Sequence, residues 1–184
     1  MARVTMVRKL VTVLTSENVP RKLTIRCVEA LSKGALPLRQ GIKWDTNRLM
    51  VSLAQLMEAE SGAVQFQYNC LMIIVNITAA LEYDANYTSK FLKPNSPGAI
   101  AIVQQLLRVI EESDDPALQI LATRSIGFLA ILFDESNDRH LISILVLQLD
   151  NGCPDVATEA VLALQKFLFW HSEQKKCRVV DRLN

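Results

Sequence analysis

Pro116 and Pro154 lie 38 positions apart, and each opens a long apolar segment directly after a polar break. This repetition constrains the fold more than any other feature of the chain. Proline is well placed in the first turn of a helix, where its missing N–H needs no partner. From Pro116 the chain reads PALQILATRSIGFLAILF, and from Pro154 it reads PDVATEAVLALQKF. At the same offset Ala122 matches Ala160, Ile126 matches Leu164, and Leu129 matches Phe167. A shorter apolar helix precedes each segment. In one, Ile102, Val103, Leu106, Leu107 and Ile110 mark a single face; the other runs from Leu141 to Leu149 and is broken by Asp150-Asn151-Gly152. An earlier copy pairs a helix at Leu49–Met57 with a longer one at Ala63–Glu82, across a break at Glu58–Gly62. Aligning Val75–Ala79 with Ile126–Ala130 gives an offset of 51. The excess is assigned to an insertion from Tyr83 to Pro97, expected to hold a short helix and the turn Lys93-Pro94-Asn95-Ser96-Pro97. An incomplete first copy covers Met1 to Ala35, with Leu23, Cys27, Ala30 and Leu31 expected on one face.

No run of alternating apolar and polar residues bounded by hairpin turns competes with this pattern. A unit of two helices and roughly 40 residues matches armadillo and HEAT repeats and is longer than tetratricopeptide or ankyrin units. The expected fold is therefore all-α: an armadillo-type α-solenoid, a right-handed superhelix of about three to four repeats. Residues 1–170 are expected to form the repeat domain, and 171–184 a divergent C-terminal tail. In such a fold each helix pair has an apolar face that it cannot hide alone, and stacking of neighbours makes the core continuous.

Composition agrees with an ordered helical chain. Half of the 184 residues are apolar and 21% are charged, which excludes the charge-rich, apolar-poor class of disordered chains. The net charge of +1 is unevenly spread: Met1–Arg48 carries ten cations against three acids, 10 − 3 = +7. A solvated basic face is the plain reading, and steering of an acidic partner the sharper one. The opening MARVTMVRKLVTVLT is basic and free of acids; it reads as an amphipathic helix, with a transit peptide as the competing reading. The apolar run Cys70–Leu81 is too short to span a bilayer. Cys27, Cys70, Cys153 and Cys177 form no CxxC pair, so neither a disulfide framework nor a zinc site is expected. The sequons at Asn76 and Asn86 read as chance matches in a chain without a secretory signal.

Enzymatic motifs are missing: there is no P-loop, GxSxG, HExxH or dinucleotide fingerprint. Glu111, Glu112, Asp114 and Asp115 are expected to sit on an inter-helix turn and cap the helix that follows. The expected activity is non-enzymatic, with no cofactor, metal or small-molecule substrate. The basic first quarter lacks interleaved aromatics, so no nucleic-acid partner is expected.

In an armadillo solenoid the concave groove presents successive helical turns to an extended peptide or partner surface. Asn69, Met72 and Asn76 share a helix face, and at the offsets above they correspond to Ile120, Thr123 and Gly127, then to Thr158, Val161 and Gln165. Arg124 adjoins this row. These are the candidate protein-binding positions, with Asn76 and Gln165 able to both donate to and accept from a peptide backbone. Importin-type grooves use a Trp four residues before Asn. Here Met72, Thr123 and Val161 stand at those places, and Trp44 and Trp170 at neither, so nuclear-signal binding has no support.

Several stretches resemble the plant armadillo-repeat-only proteins: KFLKPNSPGAIAIVQQLLRVIEESDD (Lys90–Asp115), TRSIGFLA (Thr123–Ala130) and DVATEAVLALQKF (Asp155–Phe167). AVQFQYNCLMIIVNITAALE (Ala63–Glu82) is similar to the preceding part of that family, and the likeness fades from Met1 to Glu60. The resemblance implies a plant scaffold in the cytoplasm or at the cell cortex, linked to polarised tip growth. The partners implied are proteins that regulate Rho-of-plants GTPases, and peripheral membrane association is compatible with it. The chain departs from the family at Ile131-Leu132-Phe133, where an Arg-Thr-Phe stretch is usual, and after Phe167. Family chains are also several times longer. A fragment of an armadillo-type ubiquitin ligase without its U-box, or a truncated product without function, are the other readings open at this point.

Overall fold

The computed structural model describes residues 2–34, 46–83, 92–133 and 138–183, with side chains described for 4–34, 46–82, 92–133 and 138–173. Trp44, Asn86 and the short helix expected in the insertion lie outside the described residues. Among the described residues there are eight α-helices and no strand: α1 (Ala2–Leu14), α2 (Arg21–Ser32), α3 (Thr46–Ala59), α4 (Val64–Tyr83), α5 (Pro97–Glu112), α6 (Pro116–Leu129), α7 (Arg139–Leu147) and α8 (Pro154–Leu183). Short 3₁₀ turns follow α6 at Ala130–Leu132 and α7 at Gln148–Asp150. The chain is all-α, as the periodicity predicts.

Local chemistry sets the helix starts. Ser96 caps α5 by accepting the Ala99 N–H at 3.3 Å, with Pro97 at the first helical position. Asp115 caps α6 by accepting the Ala117 N–H at 2.8 Å ahead of Pro116. Of the four acids expected on this turn only Asp115 caps. Glu111 and Glu112 belong to the last turn of α5, because the apolar periodicity there carries the helix through to Glu112. Between α1 and α2 the chain reverses at Asn18, whose φ of 59° is one that asparagine tolerates.

The helices pair in sequence, α1 with α2, α3 with α4, α5 with α6 and α7 with α8. The pairs stack so that α1, α3, α5 and α7 make one layer and α2, α4, α6 and α8 the other. Between the layers lies one continuous apolar core. It contains Leu31 of α2, Leu49, Leu53 and Met57 of α3, and Leu71, Ile74 and Ile77 of α4, all at most 1% exposed, together with Ile126 of α6 and Phe167 of α8. Burying each such side chain contributes about 1.5–3 kcal/mol relative to leaving it in water, so the core face of each helix decides its orientation.

On α2 that face is Thr24, Cys27, Val28 and Leu31. Leu23 and Ala30, expected on it, are exposed, because each sits one position, about 100°, round the helix from a core residue. The first helix is amphipathic as read, with Val7, Val11 and Leu14 buried. As a helix, the apolar stretch around Cys70 is longer than the run of apolar letters. Val64–Glu82 is long and apolar enough to cross a membrane, but 67% of its most apolar 18-residue stretch is buried inside the protein. Helix α8 continues unbroken past Phe167 to Leu183, and His171 packs edge-on to Phe167 and faces the buried carboxyl of Asp138 ahead of α7.

Candidate functional site

The second layer carries a groove of about 630 Å³ between α2 and α4. Its walls are Arg21, Ile25 and Glu29 from α2 with Lys33 at its C-cap, and Val64, Gln65, Phe66 and Asn69 from α4, with Glu60 and Ala63 from the turn before α4. Positions four residues apart on a helix fall on one face, which is why Arg21, Ile25, Glu29 and Lys33 line up along α2. Arg21 grips Glu60 bidentately, Nε to Oε1 at 2.5 Å and Nη2 to Oε2 at 2.6 Å, and so ties α2 to the turn before α4. This hydrogen bond holds the Glu60 carboxyl below its ordinary range and raises the Arg21 guanidinium. Glu29 accepts from Lys33 at 2.9 Å and from Arg26 at 3.2 Å. Both contacts lower its pKa, the Lys33 hydrogen bond most. Asn69 stands half-buried on the floor, its carbonyl oxygen accepting from Ser32 Oγ and Gln65 Nε2, each at 3.3 Å. Both bonds engage the oxygen, and no described residue engages the amide nitrogen.

Further along the same layer three helices are tied across their outer faces. The Lys166 ammonium of α8 sits 4.8 Å over the Phe128 ring of α6 and pairs with Glu82 of α4. Arg124 of α6 pairs with Glu159 of α8, a contact that raises the guanidinium pKa despite partial burial.

The nine candidate positions do not form one open row. Asn69 lines the groove, Met72 is half-buried, and Arg124 is half-buried in its ion pair. Thr158, Val161 and Gln165 are exposed. Asn76 is only 5% exposed, and its amide donates to the Met72 carbonyl at 2.8 Å, so it serves its own helix and not a peptide. Thr123 is fully buried, and Gly127 is pressed against Ala163 of α8.

For Thr123 and Gly127 the cause is a register error of one residue. Gln67 and Gln119 occupy the same fourth position of α4 and α6, 52 apart, and make the same contacts. Gln67 Nε2 donates to the Met57 and Glu60 carbonyls at 2.5 and 3.0 Å. Gln119 Nε2 donates to the Ile110 and Ser113 carbonyls at 3.4 and 2.8 Å. At this offset Met72 corresponds to Arg124 and Asn76 to Phe128, and the outward positions of α6 are Ile120, Arg124 and Phe128. The offset of 38 between α6 and α8 holds: Leu118, Ala122 and Leu129 are buried, and so are Val156, Ala160 and Phe167.

Of the groove walls, only Asn69 was singled out by the repeat pattern. Arg21, Glu29, Lys33 and Gln65 carried one signal, the Glu29–Lys33 spacing of four, which every solvated helix face shares.

Among the described residues no group of three or more His, Cys, Asp or Glu side chains is placed to hold a metal ion. No family model, curated protein or solved structure matches the chain.

Proposed function

We propose that the chain is a non-catalytic protein-binding scaffold of armadillo type, a right-handed α-solenoid that takes an extended partner segment in the groove between α2 and α4. The observation that carries this reading is the groove itself. Its polar side chains, Arg21, Glu29, Lys33 and Asn69, are held by neighbours and line the space between two helices. Asn69 offers an amide donor to a backbone carbonyl, and Lys33 and Arg21 offer charge to acidic side chains. The stacked helix pairs support the solenoid, since each pair covers the apolar face of the next. The likeness to plant armadillo-repeat-only proteins supports a role at the cell cortex in polarised growth, with regulators of Rho-of-plants GTPases as partners.

The test is affinity capture from growing pollen tubes or root hairs with the chain and with a groove variant carrying Asn69→Ala and Lys33→Glu. Proteins retained by the chain and lost with the variant are expected. Equal capture by both, with the variant melting at the same temperature, would rule the groove out as the binding site.

A further inference from the structure

Helix α8 is the last described helix of the second layer, and one side of it is apolar and uncovered. Val161, Leu162, Leu168 and Phe169 are 54%, 45%, 72% and 55% exposed. At 100° per residue they share an arc of about 120° with Thr158, Gln165 and Ser172, and no residue on that arc from 158 to 172 is charged. In the preceding repeats the counterparts of Val161 and Leu168 are covered: Leu71 and Thr78 of α4, and Thr123 and Ala130 at the matching places of the next copy, are all at 0% exposure. The arc thus has the apolar character of a helix-packing face, and among the described residues nothing covers it.

We propose that this face is covered by α8 of a second copy of the chain, the two helices running antiparallel about a two-fold axis at Gln165. The spacing of the side chains is self-complementary. About that axis Val161 meets Phe169, Leu162 meets Leu168, and Gln165 meets its own copy, whose amide both donates and accepts. Two-fold pairing sets only the residue at the axis against its own equivalent, and that residue, Gln165, is uncharged. Among the described residues the cation that flanks the arc, Lys166, is engaged with Glu82 and Phe128 and is not free to meet a membrane surface. Four such side chains amount to roughly 400 Å² of exposed surface, on the scale that marks contact sites on soluble proteins. With the polar residues between them, two copies would bury about 1,000 Å², at the lower limit for a specific interface, so the dimer is expected to be concentration-dependent.

Sedimentation velocity across a dilution series through the micromolar range tests the proposal on the full chain. The expected result is a monomer–dimer equilibrium that Leu168→Glu shifts to monomer. Leu168 is the most exposed of the four, and an unchanged thermal melt of the variant is expected to show that it folds. Gln165→Cys is expected to form an inter-chain disulfide under mild oxidation, beyond any crosslinking of the parent chain. A monomer at every concentration would overturn the proposal. A dimer that persists in Leu168→Glu, or that Gln165→Cys does not crosslink, would overturn it equally. Binding of the monomeric chain to anionic vesicles that Leu168→Glu abolishes would assign the face to a membrane instead.

Discussion

The backbone N–H of Gly98 in the first turn of α5 donates to Asn47 Oδ1 in the first turn of α3 at 2.7 Å, joining the starts of two neighbouring helices in one layer. A Cβ at Gly98 would stand 2.4 Å from the Asn47 backbone oxygen and 2.6 Å from its Oδ1. The Ser-Pro-Gly sequence at 96–98 thus supplies a cap, a first-turn proline and a point of close approach. Gly98→Ala is expected to destabilise the fold by about 1–3 kcal/mol, because the helices must separate to admit the methyl group. Asn47→Ala should cost about 1 kcal/mol, as the loss of a cap does. The double variant should recover little, since the backbone oxygen that obstructs the methyl group remains. Thermal melts of the four proteins of this cycle check the order.

Gln67 and Gln119 answer the need of a helix C-terminus for donors to its last carbonyls. Replacing either with Ala leaves two carbonyls without that donor and is expected to cost about 1–3 kcal/mol. Gln67→Ala should be the more costly, because Gln67 is 4% exposed and bonds the buried Met57 carbonyl, whereas water can replace part of what the half-buried Gln119 provides. Urea unfolding midpoints of the two variants check this ranking.

Helix existence and type were legible because apolar side chains recur at 3.6-residue spacing and because Pro, Asp and Ser mark the starts. The register between α4 and α6 was not. Residues 75–79 and 126–130 are apolar or small in both copies, so a slip of one position leaves a plausible match. The decisive residues were two glutamines whose role depends on contacts with the preceding helix. The same slip moved Thr123 and Gly127 onto the supposed groove, whereas Asn76 is withdrawn by its own hydrogen bond to the Met72 carbonyl. The groove walls on α2 stayed hidden because charged residues at helical spacing look alike whether they border a cleft or open water.

Gly127 belongs to the α6–α8 contact, and its small size permits it. A Cβ on Gly127 would lie 3.0 Å from both Cα and Cβ of Ala163. Gly127→Ala is therefore expected to destabilise by about 1–3 kcal/mol, the gain in helix propensity being smaller than the cost of forcing α6 and α8 apart. Thr123 points the other way. Its Oγ1 is buried without a hydrogen-bond partner, so Thr123→Val removes an unsatisfied polar atom at nearly constant volume. That variant should be neutral or more stable by up to about 1 kcal/mol. A lower melting temperature for Thr123→Val would mean that the hydroxyl contributes in a way its surroundings do not show.

Cys70 lies at 0% exposure in the middle of α4, and burial pushes its thiol up to about 12, because the thiolate would have no water to solvate it. In the unfolded chain the same thiol titrates near its ordinary value of about 8.5. The folded pKa is thus above the unfolded one, and the sign follows from linkage: the unfolded state loses its proton first as pH rises. Stability from this group is complete below about pH 8.5 and is lost progressively as pH climbs toward 12. Cys70→Ala or Cys70→Ser should flatten that part of the stability–pH curve, whatever the variant costs at neutral pH. Thiol-reagent kinetics provide the independent measurement. Cys70 in the native protein should react at pH 8 only as fast as the chain unfolds, and should react fully in urea. Rapid native labelling of Cys70, mapped by mass spectrometry, would show that α4 opens to solvent without global unfolding.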